Sequence, residues 1–312
     1  MNLNLARKCS FANPAVTLIR TFFNGKSNAT IKSYRSDLEF FREFLGAETI
    51  SESARIMIES PHGHAIFVAL NFKVFMQKKG LRPTTINRRL SALRSLIKLG
   101  ATLGIVSWKL EVKNLPVEPY RDTRGPGKEA FEKMLLANWD QLNINKAIRD
   151  HAILRLLYDL GLRRGSVTGL DFADLDIEQK RLWVILKQRS QKKAKNLPDV
   201  TLKALLDWIE IRGTNDGPMF TNFDNARKGE RLTGTSIYRI VRKLGEQIGI
   251  ETRPHGIRHT AITECVKRSR EADIGLEEVS DFSDHKDVKT LLIYRDRERN
   301  VQGTLSNLIV ST

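Results

Sequence analysis

Residues 254–259 read Pro254-His255-Gly256-Ile257-Arg258-His259. A proline at the head of such a run suits the first position of a helix, where its fixed φ helps and its missing N–H costs nothing. In that helix His255 and Arg258 stand one turn apart on one face, at an end whose free amides favour an anion. Two further pieces share this chemistry. GLRRG at 161–165 places Arg163 about 95 residues earlier, just after a helix-ending glycine. DHKDVKTLLIY at 284–294 places His285 and Tyr294 nine positions apart, which fits a histidine at a turn and a tyrosine on the next helix.

Two arginines, two imidazoles and a phenol suit attack on a phosphodiester. Its charged oxygens repel nucleophiles, so catalysis depends on positioning and on cations beside those oxygens. Arginine's planar fork binds two oxygens and keeps its charge. A phenol with a pKa near ~10 needs a base or a positive field to attack at neutral pH. The departing 5′-oxygen needs a proton, and the basic stretch KQRSQKKAK at 187–195 offers lysines for it. Lys187, Lys192, Lys193 and Lys195 compete for the role. Counting from the strand at 181–187 selects Lys187, whereas counting back from Pro198 leads to about Ser190 and keeps Lys192 open.

The first third reads as helices. Ser27 or Asn28 caps a stretch to residue 45 in which Ile31, Tyr34, Leu38, Phe41 and Leu45 form one apolar stripe. A second helix covers 64–79. A third opens at Pro83, with Ile86, Leu90, Leu93 and Ile97 buried and the other faces basic. Arg88, Arg89 and Arg94 there, with Lys192 and Lys193 in the basic turn, are candidate DNA contacts. Three prolines and two glycines in 113–128 mark a boundary, giving a domain at 1–115, a linker at 116–127 and a second domain at 128–312. An extended linker of this kind suits two domains on opposite sides of a duplex. The second domain reads as helices at 128–138, 146–160, 201–211, 233–248, 256–268 and 288–295. A strand at 181–187, a turn at 187–195 and a second strand near 196–200 form a hairpin. The fold class is therefore mainly α with a small antiparallel sheet.

The net charge of +16 is uneven. Residues 1–120 hold 18 Lys and Arg against 8 Asp and Glu, a balance that favours a polyanionic partner. Cys9 and Cys265 fit no metal or disulfide pattern, which points to a reducing, cytoplasmic setting. No apolar run approaches the ~20 residues of a membrane span, and the start has no apolar signal core. No Walker loop or metal-ligand cluster is legible, so neither cofactor nor metal is expected.

As a set, these residues resemble the tyrosine recombinases, the phage-integrase family. GLR at 161–163 and HGIRH at 255–259 match its two arginine boxes, and His285 and Tyr294 match its third histidine and its nucleophile. SxxTIxxYxxxLxxFxxFL at 27–45 and TIxRRLSALR at 85–94 resemble its core-binding domain. The resemblance implies an all-helical core-binding domain, a mixed catalytic domain and site-specific recombination of double-stranded DNA. In it Tyr294 forms a 3′-phosphotyrosine, Arg163 and Arg258 clamp the phosphate, His255 and His285 assist, and Lys187 protonates the leaving oxygen. It also implies a homotetramer on paired sites, with any accessory proteins not legible. The apolar end of the tail 296–312 is expected to dock into a neighbouring subunit. Two positions depart from the pattern: Ser166 replaces an acidic residue and Asp284 a glycine. The alternatives are type IB topoisomerase-like cleavage, which rejoins the same strand, or a catalytically inactive DNA-binding relative.

Overall fold

Three helix starts in the first part of the chain are fixed by polar side chains. Asn13, Ser27 and Thr49 accept from the backbone N–H three residues on and cap α1 (Pro14–Phe23), α2 (Asn28–Leu45) and α3 (Ile50–Glu59). Pro83 sits in the first turn of α5 (Pro83–Thr102), which follows α4 (His62–Lys78). The computed structural model describes residues 13–117, 125–186, 191–284, 291, 306, 307 and 309. It divides into two compact units, residues 1–119 and 120–312.

In the first unit the stripe of α5 is buried as its spacing requires. Ile86, Leu90, Leu93 and Ile97 pack with Phe41, Phe72 and Met76. Each such side chain contributes about 1.5–3 kcal/mol on burial. A second cluster forms where Leu18 and Phe22 of α1 meet Leu38 and Leu96. The pattern reading omits α1 and α3, which are short and lie between stronger signals.

The second unit holds α6 (Lys128–Ala137), α7 (Ile144–Asp159), α8 (Arg164–Thr168), α9 (Asp199–Arg212), α10 (Gly234–Gln247), α11 (Pro254–Glu271) and α12 (Leu276–Ser283). Its antiparallel sheet runs β1 (Leu175–Asp176), β2 (Arg181–Ile185), β3 (Lys192–Asn196), paired in that order. Leu182 and Val184 of β2 face the core while its alternate residues are exposed. Their cross-strand partners are Lys195 and Lys193.

That register corrects the hairpin. The second strand lies at 192–196 rather than 196–200, and Lys192, Lys193 and Lys195 belong to it rather than to the turn. A run of lysines carries no apolar alternation, so hydropathy gives no strand there. The strand is held by ladder pairing and by acidic partners distant in sequence. The helix expected over 288–295 lies outside the described residues except for Leu291, which is fully buried beside Ile262 and Val266 of α11 and Val279 of α12. Among the described residues no helix is long and apolar enough to cross a membrane.

Candidate active site

After α7 the chain reverses at Gly161, whose φ of +55° suits glycine. A Cβ there would lie 3.2 Å from the Phe282 ring, so the turn also packs tightly on the end of α12. Leu162 is buried, and Arg163, in an extended conformation, becomes the capping residue of α8. Ser166 donates from Oγ to the Ile185 carbonyl at 3.0 Å, tying α8 to β2. Ser166 thus has a structural partner at a position where the resemblance leads one to expect an acid.

Arg253 is extended, and Pro254 then starts α11. His255 projects from its first turn and Arg258 from the next. Arg258 is only 2% exposed and donates to the carbonyls of Gly161 and Ser283. One guanidinium thereby joins the α7–α8 turn, α11 and the end of α12. The His259 ring meets that of His255 edge-on at 4.2 Å between centroids.

Arg163, His255 and Arg258 line one cleft of about 800 Å³, together with Arg164, Arg253 and Tyr238. No carboxylate is found among the described residues that line it. Burial against the cleft walls pushes the His255 pKa below its ordinary value, and the charges of Arg258, Arg253 and Arg163 act in the same direction. The residue is exposed, yet all these causes share one sign. A neutral imidazole among four guanidiniums can accept a proton while the guanidiniums bind an anion. Among the described residues no group of histidine, cysteine, aspartate or glutamate side chains could hold a metal ion.

Lys187, His285 and Tyr294 lie outside the described residues. The candidate DNA contacts have intramolecular partners. Lys192 pairs with buried Asp174, and Lys193 lies 3.1 Å from Asp281 and 3.8 Å from Asp284. Arg88 pairs with the buried carboxylate of Asp37, and Arg89 stacks on Phe40 at 3.5 Å. Arg94 donates to the Val112 carbonyl at 2.8 Å and to Asn114 at 2.7 Å. The sequence reading gave no role to Arg164, which lies within GLRRG, or to Arg253, which adjoins the run from Pro254. It named Lys195 only as one of four competing lysines. Lys195 is 9% exposed and reaches the end of α12.

Comparison with known proteins gives the same picture. Residues 132–300 match the phage integrase family model, and residues 22–100 match the phage integrase N-terminal SAM-like domain. A tyrosine recombinase of Synechococcus elongatus is 34% identical, over 89% of this chain and 88% of the relative. One of Synechocystis sp. is 32% identical, over 91% of each. The crystal structure of the XerH site-specific recombinase bound to palindromic difH substrate shares the fold. Its TM-score is 0.68 at 16% identity, covering 94% of this chain and 84% of that one. Family models spanning both units, relatives alike over nearly their whole length and a shared mainly helical fold agree: the chain belongs to the phage integrase family of tyrosine recombinases, enzymes that cut and rejoin DNA.

Proposed function

We propose that this protein exchanges DNA strands between paired sites through a 3′-phosphotyrosine at Tyr294. The observation that carries the reading is the cleft in which Arg163, His255 and Arg258 meet, with no carboxylate among its described lining residues. A phosphodiester placed there has its non-bridging oxygens beside the guanidiniums of Arg163 and Arg258. These oppose the charge that grows as the phenol oxygen approaches phosphorus. His255, kept neutral, accepts a hydrogen bond or a proton, and His285 adds a second imidazole. Lys187 protonates the departing 5′-oxygen. The ester retains the energy of the broken bond, so the 5′-hydroxyl of a partner strand can attack it and release Tyr294.

Strand exchange between two duplexes calls for four active sites, and a homotetramer on paired sites follows. Residues 1–115 supply DNA-binding surface, the linker at 116–127 joins them to the catalytic domain, and the tail 296–312 docks into a neighbouring subunit. DNA is the proposed partner, in keeping with a XerH neighbour solved on its substrate. The cytoplasm is the proposed setting.

The test is a plasmid carrying two copies of the DNA flanking this gene. Purified protein should yield products of exchange that depend on both copies and on Tyr294. Relaxation of supercoils on any plasmid, with no exchange, would instead establish topoisomerase-like cleavage. Binding without either product would mark an inactive relative.

A further inference from the structure

Lys195 breaks the pattern of the strand that carries it. Its cross-strand partner, Leu182, points into the core, and directly opposed residues share a face of a sheet. A lysine at an inward position is unfavourable unless its ammonium is paired and hydrogen-bonded. Here all of its bonding capacity goes to one place. Nζ donates to the carbonyl of Asp281 at 3.0 Å and to that of Phe282 at 2.8 Å. It also lies 3.0 Å from Oδ2 of Asp284.

Asp284 is unusual in its own right. Its φ of +51° is in the left-handed region, which suits glycine or, less readily, aspartate and asparagine. Its side chain is 4% exposed. With two of its three protons on carbonyls, the Lys195 ammonium faces Oδ2 of Asp284 as a close ion pair. Lys193 adds a second cation at 3.8 Å. A buried carboxylate is therefore held by charge at the final turn of α12. The adjacent residue, Ser283, accepts from Arg258 through its carbonyl. Two buried cations from two elements, β3 and α11, grip four consecutive residues, 281–284, and His285 follows by one peptide bond.

We infer that Lys195, through its ion pair with Asp284, is a positioning residue for strand cleavage, fixing the end of α12 relative to Arg258. This rests on the recombinase reading above. Lys195 does not touch the phosphate in this role; it sets where Arg258 and the end of α12 stand. Burial pushes the Lys195 pKa down, Lys193 and Arg258 act with it, and Asp284 opposes them. By chemistry alone an ammonium can also donate a proton, and the experiment separates the two roles.

The experiment uses the full chain on a nicked suicide substrate, in two forms: one with the ordinary 5′-oxygen at the cleavage site and one with sulfur in its place. A thiolate leaves without help from an acid, so sulfur rescues loss of a proton donor but not loss of positioning. Tyr294-dependent adduct formation by the wild type first establishes the recombinase reading; its absence would overturn that reading and this inference with it, whereas a wild-type adduct with unimpaired variants would overturn this inference alone. The double variant Lys195→Met/Asp284→Asn removes both charges and avoids stranding either. Single-turnover cleavage should fall by about 10- to 100-fold, the cost of a small misplacement of reacting groups. DNA affinity should stay within about threefold, and the sulfur substrate should give no rescue. Lys195→Arg should recover part of the rate. Should the double variant not fold, Asp284→Gly keeps the backbone conformation and should show the same selective rate loss. Rates equal to wild type in the variants that fold would overturn the inference, as would full rescue by sulfur. A loss of DNA binding as large as the loss of rate would do the same.

Discussion

The guanidinium of Arg258 donates to the carbonyl of Gly161, which fastens the second arginine box to the turn that carries Arg163. The same group reaches Ser283, so three segments far apart in sequence are set by one side chain. Arginine's fork serves two acceptors in one plane, and lysine's single ammonium does not. Arg258→Lys should therefore lower single-turnover cleavage by about 10²- to 10³-fold. It should also cost about 2 kcal/mol of unfolding free energy, because one buried carbonyl is left without a donor. Denaturant unfolding and rapid-quench cleavage measure the two effects. A rate loss with unchanged stability would show that the buried bonds are not what Arg258 contributes to the fold.

His255 gives a pH prediction with a defined sign. Its pKa is held below the ordinary 6.5, by burial first and then by Arg258, Arg253 and Arg163. For a group whose folded pKa is depressed, the stability it contributes is fully present above the unfolded value and is lost as pH falls through the folded value. Cleavage that needs the neutral imidazole should follow, with an acidic limb below pH 6.5. Removing one neighbouring cation with Arg253→Gln should move the midpoint upward. Titration of the His255 ring by NMR reads this directly, and a wild-type midpoint at or above 6.5 would contradict it.

Asp37 is buried between Arg88 and Arg89, and burial raises its pKa against the pull of both arginines. Arg89 has buried guanidinium nitrogens with no hydrogen-bond partner, so Asp37 is its charge balance. Asp37→Asn should destabilise the chain by about 2–4 kcal/mol in denaturant unfolding. A phosphate contact by Arg88 would reduce the salt slope of DNA binding by about 0.9 when Arg88 is changed to Gln. Its engagement with Asp37 and Ser33 predicts a smaller change in that slope.

How far the sequence could be read depended on whether a feature was local. The stripe of Ile86, Leu90, Leu93 and Ile97 and the capping at Ser27 are properties of single helices, so spacing and residue type were enough. Arg163, His255 and Arg258 drew attention because their chemistry and order are unusual, and the fold brings them to one cleft. Lys192–Asn196 misled because the strand is polar. Its inward lysines are made acceptable by Asp281, Phe282 and Asp284, more than eighty residues away. Arg88 was equally opaque: a basic helix face looks the same in sequence whether it meets phosphate or a buried aspartate 51 residues earlier. In sequence Asp284 is a simple departure from the family pattern; its left-handed φ and its two lysine neighbours are visible only in the fold.

The most direct measurement of the central claim traps the covalent intermediate. A nicked suicide substrate bearing the DNA that flanks this gene is incubated with the wild type and with Tyr294→Phe, and the products are run on a denaturing gel. The predicted result is a protein–DNA band in the wild type that is absent in the variant, with the DNA attached through its 3′-phosphate. A band of equal strength in Tyr294→Phe would place the nucleophile on another residue and contradict the mechanism. Tight binding with no band, on these sites and on substrates drawn from random genomic DNA, would contradict catalysis itself.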